Sequence, residues 1–136
     1  MYLLDTNILS ELIKRHPSPS VLSHLRSKPA HTLFTSCICV MELRFGSALR
    51  EDAEIFWGKI SREIISRVNI VPITENEALI AGNILAELRK QGEIIGLEDA
   101  LIAASALANQ YIVVTANIRH FSRIKGLQVE NWIEAV

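Results

Sequence analysis

Hydrophobic positions along this chain switch repeatedly between a strand-like run and a helical period. Tyr2-Leu3-Leu4 is a short apolar run that stops at Asp5-Thr6-Asn7, after which Ile8, Leu9, Leu12 and Ile13 recur at helical spacing. The pattern predicts a buried strand, a tight turn carrying an acid, and a helix leaving it. His16-Pro17-Ser18-Pro19 then breaks the pattern, with Ser18 as an N-cap and Pro19 at the first position of a short helix that turns Val21, Leu22 and Leu25 inward. Thr32-Leu33-Phe34-Thr35 reads as the next strand, ended by Ser36. Beyond it Ile38, Glu42, Phe45, Gly46 and Leu49 share one helical stripe. That stripe is expected to face the core, which puts Glu42 in a position that calls for explanation.

A plain amphipathic helix is expected from Asp52, a possible cap, to Val68, with Phe56 or Trp57, Ile60, Ile64 and Val68 on one face. Asn69 to Ile73 is a short strand whose Pro72 suits an end or an edge. Thr74 and Glu77 form a capping box opening a helix that carries Ile80, Ala81, Ile84, Leu85 and Leu88 inward and runs to Gly92. Gly82 within it predicts a close approach. After a loop bracketed by Gly92 and Gly96, Glu98-Asp99 opens an alanine-rich helix. Tyr111 to Val114 is the clearest strand, ending at Thr115-Ala116-Asn117. A short turn or helix through Phe121 follows, and Leu127 to Glu130 is a last small strand. Strands alternating with helices predict a parallel α/β sandwich. With no linker or repeat, a single domain over 1–136 is expected.

Composition narrows the function classes. Hydrophobic residues make up 49% of the chain, yet no apolar run approaches the ~20 residues of a membrane helix. Met1 to Asp5 lacks the basic lead and apolar core of a secretory signal, so a soluble cytoplasmic protein without a membrane partner is expected. Cys37 and Cys39 stand too close to bridge comfortably in a regular element, which agrees with a reducing compartment. No second Cys or His pair stands at zinc-ligand spacing. A net charge of −1 argues against bulk coating of nucleic acid. Arg119, His120, Arg123 and Lys125 nevertheless form a local basic segment, free of acids, between Thr115 and Gly126.

Acidic and amide groups recur where strands end and helices begin: Asp5-Thr6-Asn7, Glu98-Asp99 and Asn117, with Glu42 able to join them. The strand ends of a parallel sheet share one edge, so these groups can meet there. Each has a simpler role open to it: Asp5 as a helix cap, Glu42 turned to solvent beside Arg44, Glu98 or Asp99 complementing a helix N-terminus, Asn117 as a turn residue. Helical geometry does not choose between Glu98 and Asp99. Three carboxylates within a few ångströms would raise one another's pKa unless a cation were present, and hard oxygen donors of this kind suit Mg2+ or Mn2+.

The segments LLDTNILSELIK, SCICVMELRFG, IGLEDALIAASA and VVTANIRHFSRIKGLQVENW, in this order, resemble the PIN-domain ribonucleases, specifically the VapC-type toxins of bacterial toxin–antitoxin pairs. The resemblance covers essentially the whole chain. It implies a PIN-like three-layer α/β/α sandwich with a mostly parallel sheet of four to five strands. It matches Asp5, Glu42 and Asp99 to the three principal metal-site acids, choosing Asp99 over Glu98, and Asn117 to a fourth position that is Asp in many relatives. Cys39 stands where Thr is frequent and Cys37 where a small hydroxyl residue is often found. With three carboxylates, one firm metal site is expected and a second would be completed by substrate phosphate.

The function so implied is Mg2+- or Mn2+-dependent hydrolysis of RNA phosphodiesters, with structured RNA, often tRNA, as substrate. Asp5 and Asp99 would ligate the metal directly, and Glu42 would ligate through water or orient the attacking water. Thr6, Asn7, Ser36 and Thr115 are substrate-orienting candidates, and Arg119, His120, Arg123 and Lys125 are candidate contacts to the RNA backbone. The resemblance further implies a cognate antitoxin, a homodimer and a toxin–antitoxin hetero-oligomer. A mean hydropathy of +0.24 leaves apolar surface for such contacts. Two other readings compete: a PIN fold kept as a catalytically weak binding module, favoured by Asn117 and the two cysteines, and phosphoryl chemistry on a small molecule or protein. The second would call for an Asp where Asn7 stands and a Lys after a late strand.

Overall fold

The first strand is the centre of the molecule. The computed structural model describes residues 1–133; residues 134–136, the end of the expected domain, lie outside the described residues. Among the described residues, β1 (Tyr2–Leu4), β2 (Leu33–Ser36), β3 (Asn69–Val71), β4 (Ile112–Val114) and β5 (Val129–Glu130) form one sheet. Its order is β3-β2-β1-β4-β5 and every neighbouring pair is parallel. Leu3 and Leu4 are both fully buried. Successive strand side chains point to opposite faces, so helices cover both faces of β1 and the three-layer α/β/α sandwich follows.

The helices are α1 (Thr6–Leu9), α2 (Pro19–Ser27), α3 (Cys37–Ala48), α4 (Ala53–Glu63), α5 (Glu75–Lys90), α6 (Leu97–Asn109) and α7 (Ile118–Ser122). Local signals set most of their ends. The Ser18 hydroxyl accepts the Val21 amide with Pro19 at the first position of α2, and the Glu77 carboxylate accepts the Thr74 amide at 3.3 Å. Gly92, at φ +76°, turns the chain out of α5 in a conformation that suits glycine. Strand β3 lies at the sheet edge and Pro72 falls just beyond it, as a residue without an amide donor requires.

The chain lays β2 and β3 on one side of β1 and then returns to lay β4 and β5 on the other. The crevice between the carboxyl ends of β1 and β4 is therefore the topological switch point, where ligands bind in open α/β sheets. Beside Tyr2 and α2, the fully buried Trp132 stacks on His24 (ring centroids 4.8 Å apart), meets Tyr2 edge-on and donates its indole N–H to Glu130. Burying such a ring contributes about 1.5–3 kcal/mol and fastens the segment just after β5 to β1 and α2.

Several expectations change. The second strand starts one residue later, because Thr32 closes a 3-10 turn. α1 is one turn long and continues as a 3-10 segment, Ser10–Ile13. The helix expected to reach Val68 ends at Glu63, and a 3-10 turn at Ile65–Arg67 leads into β3. Asp52 occupies the N-cap of α4 as expected but makes no side-chain cap bond, its carboxylate accepting from Arg50 at 2.7 Å. A Cβ at Gly82 would meet nothing within 4 Å, so no close approach is made there. The largest change is in α3, whose buried face is Cys39, Leu43 and Ser47 while Phe45 and Leu49 are 67% and 73% exposed. The helix is apolar on two sides, so the wider stripe did not mark the inward one.

Glu11, 5% exposed, was not singled out by the sequence pattern. Its carboxylate pairs with Lys14 and accepts the Ser18 amide at 2.9 Å, tying the end of the first turn segment to the start of α2. The Lys14 ammonium holds this carboxyl below its ordinary value of 4.5. Glu11→Ala should lower the unfolding free energy by about 1.5–3 kcal/mol, as for loss of hydrogen bonds to a charged group. A depressed folded pKa gives stability that is present above the unfolded value and lost as pH falls through the folded one. Denaturant titrations should therefore show the gap between variant and parent closing on acidification below about 4.5.

Candidate active site

Asp5 ends β1 and begins α1, so it is at once a helix cap and a buried acid. It is 4% exposed. Its Oδ1 accepts the Thr6 amide at 2.8 Å; its Oδ2 accepts the Thr115 hydroxyl at 2.8 Å and the Asn7 side-chain amide at 3.3 Å. Burial is the main cause of a pKa raised above the ordinary Asp value; those hydrogen bonds oppose the rise and the charge of Asp99 adds to it.

Glu42 is brought beside Asp5 by α3, which starts where the buried Ser36 hydroxyl accepts the Ile38 amide at 3.1 Å. The Thr6 hydroxyl donates to Glu42 Oε1 at 2.8 Å, joining the first turn of α1 to α3. The Glu42 pKa is also raised, first by burial and then, against the Thr6 bond, by the charges of Asp5, Asp99 and Glu98. At the start of α6, Asp99 is half-buried and its Oδ2 lies 3.4 Å from His120 Nδ1, while Glu98 is exposed. The helix thus turns Asp99, and not Glu98, toward the other acids.

From β4, the Thr115 hydroxyl that donates to Asp5 also accepts the Asn117 amide at 3.0 Å, and Asn7 Oδ1 accepts the Ala116 amide at 3.0 Å. Asn117 is exposed at the start of α7 beside this clip. Two expected substrate-orienting residues have other work. Ser36 and Thr115 are fully buried; the first caps α3 and the second holds Asp5, so neither presents a surface to substrate. Arg123 is likewise engaged, donating to the Ile94 carbonyl at 3.1 Å and to the His120 carbonyl, and lying 3.8 Å from Glu93. Arg119, His120 and Lys125 are exposed.

The pattern of hydrophobic positions missed one member of the site. The Cys39 thiol is fully buried, one helical turn before Glu42 and 3.9 Å from Asp5 Oδ1. Asp5, Cys39 and Glu42 each offer a ligand atom within 4.8 Å of the others; among the described residues this is the compact donor group. Asp99 stands outside it, close enough to raise the pKa of both carboxylates. The i, i+3 spacing of Cys39 and Glu42 was the signal for it. Buried carboxylates repelling one another are the electrostatic signature of a cation site, and their hard oxygen donors fit a divalent ion.

The sequence profile of the PIN domain matches residues 2–127. The chain belongs to the PIN-domain family. It is 39% identical over 132 residues to ribonuclease VapC2 of Haemophilus influenzae, covering 97% of this chain and 98% of that one. It is 32% identical to the tRNA(fMet)-specific endonuclease VapC of Salmonella typhimurium, covering 96% and 97%. Among solved structures, VapBC2 from Rickettsia felis bound to a promoter DNA fragment superposes with a TM-score of 0.86 at 34% identity, covering 96% of this chain and 98% of that one. FitAB bound to a DNA fragment gives 0.89 at 28%, covering 100% and 98%.

The charge state of this PIN domain's Asp5 has a sign that can be measured. A carboxyl whose folded pKa is raised costs stability as pH rises from its unfolded value, 3.8, through the folded one, and the cost is complete above that. Asp5→Asn should therefore raise the melting temperature of the chelator-treated protein at neutral pH. Differential scanning calorimetry in EDTA checks this; a lower melting temperature would mean that the hydrogen bonds to Asp5 outweigh the buried charge.

Proposed function

We propose that this PIN domain, acting as one unit over 1–136, is a metal-dependent endoribonuclease and the toxin of a toxin–antitoxin pair. Its substrate class is tRNA or another structured RNA. The observation that carries the reading is the convergence of Asp5, Glu42 and Asp99 at the switch point of a parallel sheet, with Asp5 buried and, among the described residues, no Lys or Arg offsetting its charge. Family relatives with ribonuclease names support the same chemistry.

Asp5 and Asp99 would hold Mg2+ or Mn2+ directly, and Glu42, fixed by Thr6, would ligate through water or orient the attacking water. When bound, the ion supplies neutralisation of charge on the phosphodiester and a more acidic water. Asn7 and Thr115 keep the Asp5 carboxylate from rotating, and Asn117 stands on the same clip without adding charge. Arg119 and His120 on α7, with Lys125 beyond it, would meet the RNA backbone, while Arg123 shapes that surface by holding α7 to the loop before α6.

A protein partner is supported by Met41 and Phe45 on α3 and Leu49 at its C-cap, spaced four residues apart and 51%, 67% and 73% exposed. We assign this apolar surface to the contacts with the antitoxin and with a second copy. Two free cysteines and an RNA substrate agree with a cytoplasmic setting. No helix among the described residues is long and apolar enough to cross a membrane.

Asn117 and the thiol in the acidic group favour one other reading, a PIN fold that binds RNA or protein and cleaves poorly. Cleavage of total RNA separates the two. Asp5→Asn and Asp99→Asn should each reduce cleavage by about 10²–10³-fold, as for loss of a group that stabilises developing charge, and EDTA should abolish it. RNA binding by the parent protein without cleavage in Mn2+ would favour the binding module, and full cleavage in EDTA would remove the metal from the mechanism.

A further inference from the structure

The thiol of Cys39 is the one donor in the acidic group that hard-ion chemistry does not use. We infer that Asp5, Cys39 and Glu42 form a mixed oxygen–sulfur site that takes a thiophilic divalent cation, Zn2+ or Cd2+, with Cys39 as a direct ligand. The inference rests on the reading that this end of the sheet holds a divalent ion, and adds which ion this chain's own side chains favour.

Cys39 Sγ and Asp5 Oδ1 are 3.9 Å apart, and all three donor atoms lie within 4.8 Å of one another. Zinc bonds of about 2.3 Å to sulfur and about 2.1 Å to a carboxylate oxygen sum to more than 3.9 Å, so a single ion reaches both atoms. Glu42, half-buried and held by a single side-chain donor, completes a three-ligand set by a small shift, as in zinc sites that keep one open position. The 3.9 Å contact is long for a hydrogen bond, so ligation gives up little.

Without a cation the buried Cys39 thiol carries its proton and points it at Asp5 Oδ1. Ligation replaces that proton, which leaves to solvent, by the metal; coordination of a thiol deprotonates it outright. Soft sulfur selects zinc and cadmium, whereas Mg2+ prefers oxygen and water. A thiophilic ion is therefore drawn inward to Cys39, and a hard ion stays on the side of Asp5 that faces Asp99.

Cys37 and Cys39 are the only cysteines, so Cys37→Ser leaves Cys39 as the sole thiol without touching the acidic group. Chelator-treated Cys37→Ser protein titrated with Cd2+ should develop the ultraviolet charge-transfer band of a cadmium thiolate, saturating at one ion per chain. Cys39→Ser should show no band and bind Cd2+ at least about tenfold more weakly by calorimetry, with Mn2+ affinity changed by less than that. No band in Cys37→Ser, or an unchanged Cd2+ affinity in Cys39→Ser, overturns the inference. If Mn2+ still binds in that case, the hard-metal reading stands; if neither ion binds the parent protein, both fail.

Discussion

A carboxylate buried at the junction of β1 and β4 sets the conditions for everything around it. Removing such a charge from water costs several kcal/mol unless donors and a counter-charge replace the solvent. The sheet register supplies the first replacement. Leu4 pairs with Val114, and the Asp5 amide donates to the Val114 carbonyl at 2.9 Å, so the next residue along each strand is an Asp and a Thr side by side. A slip of one residue would send the Thr115 hydroxyl to the other face of the sheet and leave Asp5 Oδ2 with Asn7 alone. The Thr6 amide, free because it opens a helix, supplies the second replacement.

Those donors stabilise the position of Asp5 but not its full charge, as its raised pKa records. The remaining elements make the deficit larger. Thr6 draws Glu42 in on α3, and α6 brings Asp99 close because Ala100, Ala103 and Ala104 are fully buried and leave room for the helix to approach the sheet. A fold that spends core volume on small residues in order to crowd three acids together is locally inconsistent with stability alone. Such inconsistencies mark functional sites. His120 Nδ1 lies 3.4 Å from Asp99 Oδ2 at the edge of this group.

The parallel sheet, the carboxyl ends of β1, β4 and β5 and most capping signals were legible because each rests on nearby residues, whereas β3 stops at Val71, two residues before the expected Ile73, and β5 starts at Val129, two residues after the expected Leu127. Asp5 after an apolar triplet, Ser18 before Pro19, Thr74 with Glu77, and the run at Ile112–Val114 carry local physics that tertiary packing did not overturn. What could not be read depended on partners distant in sequence. Helical spacing left Glu98 and Asp99 open, and only the family resemblance pointed to the Asp99 that α6 turns toward the other acids; the seven-residue reach from Glu11 to Ser18 is visible only once the first helix has tightened into a 3-10 turn. Thr115 looked available to substrate because its hydroxyl is polar; the β1–β4 register makes it a donor to Asp5 instead.

The misassigned face of α3 adjoins the same site. α3 sets Glu42 against Thr6 and Cys39 against Asp5, and the face it buries is Cys39, Leu43 and Ser47. On the outside Met41 and Phe45 stand exposed four residues apart. Apolar area left in water forgoes about 25 cal/mol per Å² relative to burial, so the outward stripe is a cost to an isolated chain and a gain to a complex. One helix thus carries Cys39 and Glu42 of the acidic group on one side and an exposed apolar stripe on the other, and couples the two surfaces.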